Sequence, residues 1–425
     1  MIRSLASSLA LALSLLLTAA TAALGVAGGL DPTFDGDGIA LSPPGAVSAT
    51  SIAIQADGKI VVAGCLQCEF RPRFAVYRYD ADGSRDLAFG GGDGIVSVGF
   101  QGDARPIDVA VQDDGKIVAA GVATGGSNRP SFALARFEDD GTLDPTFGDG
   151  DGKVRTRIGP EARAFAVAVA PDGSIVAGGL SGTNDGVTRP TLVRYEPSGG
   201  LDPTFGGDGI VRRAIPGMPE LAKFNDVLAL PSGKVVGFGS GFTATGERFL
   251  TVRYHVDGSL DESFAANGVV TTSLGADSIG TDIARSPDGT LVGAGYVQPD
   301  GAPQRFAVVR YTSDGSLDTT FSDDGKVTTS VGPEEALGAS VAVQQDLKIV
   351  VAGTCCSSLR VALARYRSDG SLDDTFDGGR VTLKIGDFVG SGVADVELDA
   401  DGDIVVQGNY ARGGERFFLA RYLGA

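Results

Sequence analysis

The stretch Leu201–Val211 reads LDPTFGGDGIV, and the same phrase recurs at six other places in the chain. The phenylalanine marks each copy, and successive phenylalanines are 55 to 59 residues apart. These residues are Phe34, Phe89, Phe147, Phe205, Phe264, Phe321 and Phe376. A period in this range is typical of proteins built from structural repeats. The spacing therefore predicts seven copies of one unit, with each phenylalanine buried between neighbouring units.

Each unit contains short phrases that predict β-strands. Examples are DVAVQ at Asp108–Gln112, DGKIVVAG at Asp57–Gly64 and RFAVYRY at Arg73–Tyr79. They are rich in β-branched or aromatic residues and are bounded by Gly, Asp or Pro, as strands usually are. With the run GIVSV at Gly94–Val98 counted as the first strand, every unit has four strands. An Asp-Gly hairpin turn joins the second strand to the third.

Four antiparallel strands repeated seven times predict an all-β fold, a seven-bladed β-propeller. An open β-repeat array or solenoid is the alternative. We favour the propeller because ring closure gives every sheet face a neighbour to pack on.

The repeated phrases also carry a family resemblance. LDPTFGGDG, DGKIVVAG, strands ending in Arg-Tyr and DGSLD at Asp314–Asp318 together resemble the delta-60 repeat family of exported bacterial proteins. The resemblance covers essentially everything after the N-terminal segment. It implies an exported β-propeller-like repeat protein and brings no catalytic residues.

The N-terminus has the composition of a signal peptide. Arg3 precedes an apolar run, and Ala20 and Ala22 form an A-x-A cleavage pattern. We predict a signal peptide over residues 1–22 and one seven-repeat propeller domain over residues 23–425. The mature protein is then expected to be secreted or periplasmic, without insertion into the membrane.

The charge balance excludes some partners. The chain has 35 basic and 53 acidic side chains and a net charge of −18. Such a charge repels nucleic acids and anionic membrane surfaces. We therefore expect no nucleic-acid partner.

A spacing of eight residues links an arginine to an aspartate in successive phrases. Each fourth strand ends in Arg-Tyr or Arg-Phe, and the following LDPTF phrase supplies the aspartate. These pairs are Arg78 and Asp86, Arg136 and Asp144, Arg194 and Asp202, Arg253 and Asp261, Arg310 and Asp318, and Arg365 and Asp373. A half-buried arginine needs a carboxylate partner, so we predict an ion pair in each unit. Arg421 and Asp31 are left over, and a closed ring requires them to meet.

The four cysteines fall at equivalent points of two units. Cys65 and Cys68 follow one strand, and Cys355 and Cys356 follow its counterpart in the sixth unit. In an exported protein an even count suggests disulfides. Because units one and six are not neighbours in a seven-membered ring, we predict local bridges, Cys65 with Cys68 and Cys355 with Cys356.

The sequence gives little support for a metal or a catalytic group. Alternating aspartates in FGDGDGK at Phe147–Lys153 and DADGD at Asp399–Asp403 fit tight turns, with calcium binding as the alternative. His255 is the only histidine and follows a strand at a permissive position. We therefore expect no catalytic residue and no cofactor.

The connections from the third strand to the fourth are the least repetitive parts of the units, and we expect them at one rim. Propellers commonly bind through such loops. We therefore predict a monomeric, non-enzymatic scaffold that binds a protein, a glycan or a cell-surface component through one face. The alternative is a hydrolase or lyase at the central channel, which carboxylates at the channel mouth would favour.

Overall fold

The computed structural model describes residues 26–43, 46–66, 68, 71–125, 129–218, 221–265, 267–356, 360–385, 389–411 and 415–424. The predicted signal peptide, residues 1–22, lies outside the described residues. No helix in these ranges has the length and hydropathy needed to cross a membrane.

The described residues form 28 strands arranged as seven four-stranded antiparallel sheets, which confirms the predicted seven-bladed propeller. Blade one consists of strands β2 to β5, blade two of β6 to β9 and blade three of β10 to β13. The first of these strands, β2, is Ala46–Ile54. Their remaining strands are β3 (Ile60–Leu66), β4 (Arg73–Tyr79), β5 (Ile95–Val98), β6 (Ala104–Val111), β7 (Ile117–Ala123), β8 (Ser131–Phe137), β9 (Lys153–Thr156), β10 (Ala162–Val169), β11 (Ile175–Gly182), β12 (Thr188–Tyr195) and β13 (Ile210–Arg212).

Blades four to six follow the same order. Their strands are β14 (Ala222–Ala229), β15 (Val235–Thr243), β16 (Gly246–Tyr254), β17 (Val269–Thr272), β18 (Asp277–Arg285), β19 (Leu291–Gln298), β20 (Arg305–Tyr311), β21 (Lys326–Thr329), β22 (Ala336–Val343), β23 (Ile349–Cys355), β24 (Arg360–Tyr366) and β25 (Arg380–Leu383). Two short 3-10 turns, Phe89–Gly91 and Asp377–Gly379, precede β5 and β25.

Blade seven closes the ring with strands from both ends of the chain. It combines β26 (Val389–Leu398), β27 (Ile404–Ala411) and β28 (Glu415–Tyr422) with β1 (Ile39–Leu41). β1 pairs antiparallel with β28, and Leu30 forms a further bridge with Tyr422. The N-terminal strand thus completes the last blade, so the two chain ends are held together by main-chain hydrogen bonds.

The structure corrects the predicted order of strands within a blade. The run after LDPTF is not the first strand of the next unit but the outermost strand of the preceding blade, as β5 shows by pairing with β4. The run typified by DVAVQ is the innermost strand. The repeat period could not decide this order, because a cyclic repeat has no intrinsic first strand. The run is also closer in sequence to the next blade, with residues 99–103 before β6, than to β4, from which residues 80–94 separate it.

The correction defines the two faces of the ring. One face carries the Asp-Gly hairpins between first and second strands and the connections, containing LDPTF, between third and fourth strands. We call it the turn face. The opposite face carries the connections from second to third strands and from each fourth strand to the next blade. We call it the loop face. The connections predicted to bind a partner lie there, because the strands counted third and fourth in the predicted order are the second and third strands of each blade.

The hydrophobic core lies between blades. The buried side chains form seven clusters, and each cluster combines residues of two adjacent blades. For example, Phe74 of blade one and Ile117 of blade two belong to the same cluster. Because each sheet packs on its neighbours on both sides, the cores make a continuous circle.

Candidate functional site

The predicted arginine–aspartate pairs all meet on the turn face. In each of the seven pairs the arginine Nε donates to the aspartate Oδ2 at 2.6 to 2.9 Å. Arg421 and Asp31, 390 positions apart in sequence, meet at 2.7 Å. The chain ends therefore lie side by side, as a closed ring requires.

Each of these arginines also reaches the next blade, which the spacing alone did not predict. Arg78 Nη1 donates to the Asp139 carbonyl at 2.6 Å, and Arg421 Nη1 donates to the Ala81 carbonyl at 2.7 Å. The other five arginines donate to carbonyls at the equivalent turn of the following blade. One guanidinium thus joins its own blade to its neighbour.

The repeated phenylalanine completes this contact. All seven phenylalanines are fully buried, and each lies under the guanidinium of its pair, as Phe89 does 4.5 Å from Arg78. The other side of the ring faces a turn glycine of the next blade: a Cβ on Gly141 would lie 2.9 Å from Phe89. Gly141 also has a positive φ of 87°. We call the arginine, aspartate, phenylalanine and glycine together the turn-face latch.

The electrostatics of the turn-face latch favour the ionised aspartates. Burial opposes ionisation of Asp86 and Asp31, but hydrogen bonds and the nearby guanidinium outweigh it, so the pKa of both carboxyls is lowered. The threonine of LDPTF contributes as well, because Thr33 donates through both N and Oγ1 to Asp31. The repeated phrase therefore encodes closure of the ring.

The axial channel is a second candidate site. It is a cavity of about 990 Å³ lined by the innermost strands of the blades. After a bulge, each innermost strand places one residue at the same register position, and six of these seven residues line the channel, Ala166 being the exception. We call these seven positions the channel ring: Ser51, Asp108, Ala166, Asp226, Asp282, Ser340 and Asp395.

The aspartates of the channel ring bind main-chain N–H groups of the next blade. Asp108 accepts from Val167 at 2.6 Å, and Asp395 accepts from Ile52 at 2.8 Å across the closure of the ring. Asp226 and Asp282 make the same contact with their following blades. The inner edge of each first strand has no partner strand, so these carboxylates satisfy donors that would otherwise be unpaired.

Burial raises the pKa of three aspartates of the channel ring, Asp108, Asp226 and Asp395. It raises the pKa of Asp108 to about 6, and burial together with the charge of Asp282 raises the pKa of Asp395 to about 7. The pKa of Asp226 is raised well above its usual value for the same two reasons. Several channel carboxyls are therefore protonated in mildly acidic solution.

Glu397 is an exception within the channel. It lies two residues beyond Asp395 on the same face of β26, where the other blades have alanine or leucine, such as Ala53 and Leu228. Burial and the charge of Asp395 raise its pKa well above the usual value. Unlike the ring aspartates, it makes no main-chain contact with a neighbouring blade among those described.

Only one of the two predicted disulfide bridges is present in the structure. Cys65 and Cys68 are bridged. Cys355 and Cys356 are free thiols whose sulfur atoms lie 2.9 Å apart, which corrects the predicted second bridge. Adjacent cysteines can bridge only by closing a small ring that distorts the peptide between them. Burial raises the pKa of Cys355 to about 12, which keeps the thiol protonated.

The aspartate-rich turns show turn hydrogen bonds. Asp151 accepts from the N–H of Lys153, and Asp399 accepts from those of Asp401 and Asp403. Within the described ranges, no group of three or more His, Cys, Asp or Glu side chains is arranged to hold a metal ion. His255 lies on the turn face, partly exposed, with Nε2 3.5 Å from Asp261.

Sequence reasoning missed the channel ring, although the phrases contained it. An aspartate opens DVAV at Asp108, DVLA at Asp226, DIAR at Asp282 and DVEL at Asp395, each at the same place in an otherwise apolar strand. A charge recurring there is unusual for a buried strand. The role of this recurring aspartate can be recognised only when the strand is known to be the innermost strand of its blade.

Solved structures with the same fold come from dissimilar sequences. Sqt1 from Chaetomium thermophilum is 12% identical with a TM-score of 0.50, and the match covers 91% of this chain and 98% of that one. A polysaccharide lyase described as PL25-Ulvanlyase is 11% identical with a TM-score of 0.50, covering 94% and 95%. At such identities the similarity shows the fold alone. No curated protein matches the chain in sequence.

A family profile matches six of the seven repeats. The family is described as "Domain of unknown function (DUF5122) beta-propeller", and it matches residues 55–89, 112–147, 170–205, 230–264, 286–321 and 344–376. Each matched segment runs from near a hairpin of the turn face to the phenylalanine of its blade. The seventh copy is divided between the two ends of the chain. Together with the seven-bladed ring, these matches support a β-propeller repeat family.

Proposed function

We propose that the protein is an exported, non-enzymatic scaffold that binds a protein, a glycan or a cell-surface component through its loop face. The observation that carries this proposal is the contrast between the faces. The turn face repeats one contact seven times, and the repeated residues hold neighbouring blades together. The loop-face connections differ in length and sequence from blade to blade, as surfaces that recognise a partner commonly do.

The hydrogen bonds of the channel aspartates give these residues a structural role, which suits a scaffold. Each one accepts a main-chain N–H of the following blade, so its position is fixed by closure of the ring. Ser340 Oγ adds to this network, since it lies 2.6 Å from Asp282 Oδ2 and 2.8 Å from Asp395 Oδ1 and donates its single hydrogen to one of them at a time. A general acid or nucleophile must instead approach a substrate atom within hydrogen-bond distance.

A trimmed loop tests the proposal. The connection Thr183–Val187 of blade three would be replaced by the two-residue turn Asn-Gly, which closes such a hairpin. The mature chain and this variant would be compared on an array of purified glycans, with melting temperature as the control for folding. We expect a bound glycan class whose signal falls in the trimmed variant. Binding that persists after trimming of every loop-face hairpin would contradict the proposal.

One observation favours the alternative, a hydrolase or lyase in the channel. Glu397 projects into the channel with a raised pKa and without the cross-blade contact of the ring aspartates. Glu397→Gln removes the acid and keeps the shape of the side chain. If the protein is a binder, this variant retains full ligand binding; if it is an enzyme, turnover of the polysaccharides bound on the array is lost.

Export is part of the proposal and has its own test. Residues 1–22 carry the pattern of a cleavable signal peptide. N-terminal sequencing of protein recovered outside the cytoplasm should begin close to Ala23. Recovery of an N-terminus at Met1 would contradict export by cleavage.

A further inference from the structure

The loop face of blades one to three is rich in arginine. The arginines lie in its connections or at the strand ends beside them, and we call this set the arginine sector: Arg71, Arg73, Arg105, Arg129, Arg155, Arg157, Arg163, Arg189, Arg212 and Arg213. The described acidic residues of the same region are Asp103, Glu161 and Asp185, and the sequence of these connections also contains Glu69 and Glu220, so ten arginines stand against five acidic residues. A strongly acidic protein thus carries a positively charged area.

Three arginines of the sector donate hydrogen bonds to neutral acceptors, whereas Arg163 lies 3.8 Å from the carboxylate of Glu161. Arg105 Nη2 donates to the Cys68 carbonyl at 2.6 Å, and Arg73 Nη2 donates to the Ser97 carbonyl at 3.3 Å. Arg155 Nε donates to the Ser131 hydroxyl at 3.0 Å. Carbonyls and hydroxyls orient a guanidinium without cancelling its charge, whereas the turn-face arginines face carboxylates.

Arg155 provides the most specific observation. Its Nη2 atom is buried and has no hydrogen-bond partner. Burial and the nearby positive charge of Arg157 both lower its pKa. Arg157 is exposed two residues along the chain, so an anionic group can accept from Arg157 while its charge offsets the repulsion between the two guanidinia.

The surroundings favour a polyanion over an acidic protein. Protein interfaces usually have an apolar or aromatic centre. Among the described residues of the loop face, the exposed large hydrophobic side chains are Leu41 and Phe242, which belong to blades seven and four. The arginine sector instead offers spread positive charge on a polar surface. This suits a flexible chain whose charged groups recur along its length.

We propose that the arginine sector binds an acidic polysaccharide through the carboxylate or sulfate groups of its sugars. This inference rests on the proposed function and specifies its ligand class. Arg155 and Arg157 bind one anionic group, and the exposed Arg73 and Arg105 bind groups further along the chain.

Dextran sulfate and polygalacturonate are suitable probes, with neutral dextran as the control. Binding of the chain from Ala23 to Ala425 would be measured by calorimetry. We expect both anionic polymers to bind, with affinity falling as NaCl rises from ~50 to ~300 mM, and dextran not to bind. A preference between the two polymers identifies sulfate or carboxylate as the recognised group.

A matched pair of variants tests the location. Arg73 and Arg305 are exposed first residues of equivalent strands, β4 and β20, but only Arg73 belongs to the arginine sector. We expect Arg73→Gln to weaken dextran sulfate binding by about 3-fold and Arg305→Gln to change it by less than that. The double variant Arg155→Gln with Arg157→Gln should weaken it by roughly tenfold or more.

The outcomes separate this inference from the proposed function. Absence of binding to both anionic polymers at low salt overturns the inference, as does equal weakening by Arg73→Gln and Arg305→Gln. Tighter binding to vesicles containing phosphatidylserine than to either polymer also overturns it. If the polymers fail but another glycan binds and is lost on trimming Thr183–Val187, only the inference falls. If no ligand depends on the loop face, the proposed function falls with it.

Discussion

The two faces of the ring use arginine in opposite ways. On the turn face, Arg310 is almost fully buried and bonded to Asp318 within its blade and to the Ser368 carbonyl of the next. On the loop face, Arg305 belongs to the same strand but is exposed at its other end. The same residue type therefore serves closure of the ring at one end of a strand and remains available to a ligand at the other.

This difference shows which face of the ring repeats its residues for a structural reason and which face does not. A contact that must join every blade to the next is required seven times, so the residues that make it recur at equal spacing. A binding surface engages one ligand, and equal residues in every blade are not required. We therefore assign stability to the turn face and recognition to the loop face, and the following predictions test that division.

The largest effect is expected from the buried phenylalanine of the turn-face latch. Phe205→Ala removes a fully buried ring that lies between Arg194 and Gly258 and should lower the free energy of unfolding by about 3 to 5 kcal/mol. Urea denaturation measures this loss. Phe242→Ala on the loop face is the control, with an expected change below about 1 kcal/mol because the ring is 41% exposed. Similar losses in the two variants would refute the division.

The next effect separates two arginines of one strand. Arg310→Gln leaves the buried Asp318 without its guanidinium partner and should cost roughly 3 kcal/mol. Arg305→Gln at the exposed end of β20 should change stability by less than about 0.5 kcal/mol. Thermal and urea unfolding of both variants give the comparison. An equal loss of stability in Arg305→Gln and Arg310→Gln would contradict this prediction.

The pH dependence of stability distinguishes the channel from the turn-face latch. The pKa of Asp395 is raised to about 7 and that of Asp108 to about 6, so their contribution is full below the unfolded pKa of about 4 and is lost as pH rises towards 7. The latch aspartates, such as Asp86, have lowered pKa values. Their contribution is present above about pH 4 and is lost at lower pH.

We therefore expect the melting temperature to be highest near pH 4 to 5 and to fall by a few degrees towards pH 8. Asp395→Asn keeps the size of the side chain and removes one titrating group, so it should flatten the decline between pH 5 and pH 8. An unchanged slope in this variant would show that the channel carboxyls do not titrate as described.

The smallest effect concerns the bridge beside the arginine sector. The Cys65–Cys68 bridge closes a loop of few residues and constrains the unfolded chain little, so its removal should cost about 1 to 2 kcal/mol. The Cys68 carbonyl also orients Arg105. The variant Cys65→Ser with Cys68→Ser should therefore weaken dextran sulfate binding modestly while the melting temperature falls only slightly. Unchanged binding would show that the contact between Cys68 and Arg105 does not contribute to recognition.

Much of the architecture was predictable because it is periodic. The interval between phenylalanines gave seven blades, and the eight-residue spacing placed Arg421 beside Asp31. The same periodicity concealed the start of each blade, since a cyclic repeat has no intrinsic first strand. Only the pairing of β5 with β4 decides that the run after LDPTF ends a blade.

The functional surfaces were harder to predict for two physical reasons. Successive connections alternate between the two faces, so the acidic turns and the arginines of the loop face are interleaved in sequence and their separation is hidden. The channel ring depends on contacts between blades, such as Asp395 with Ile52, that are 343 residues apart. The free thiols of Cys355 and Cys356 were missed because an even cysteine count says nothing about the geometry of a bridge between adjacent residues.

One pair of variants tests the central claim directly, with stability and dextran sulfate affinity measured for each. The double variant Arg155→Gln with Arg157→Gln alters the loop face, and Arg194→Gln alters the turn-face latch of blade three. We predict that the loop-face variant loses only about 1 kcal/mol of stability, from the Ser131 hydrogen bond, and about tenfold in affinity, whereas Arg194→Gln loses roughly 3 kcal/mol of stability and binds normally while folded. Loss of affinity in Arg194→Gln under conditions where it is folded, with full affinity in the loop-face variant, would contradict the account.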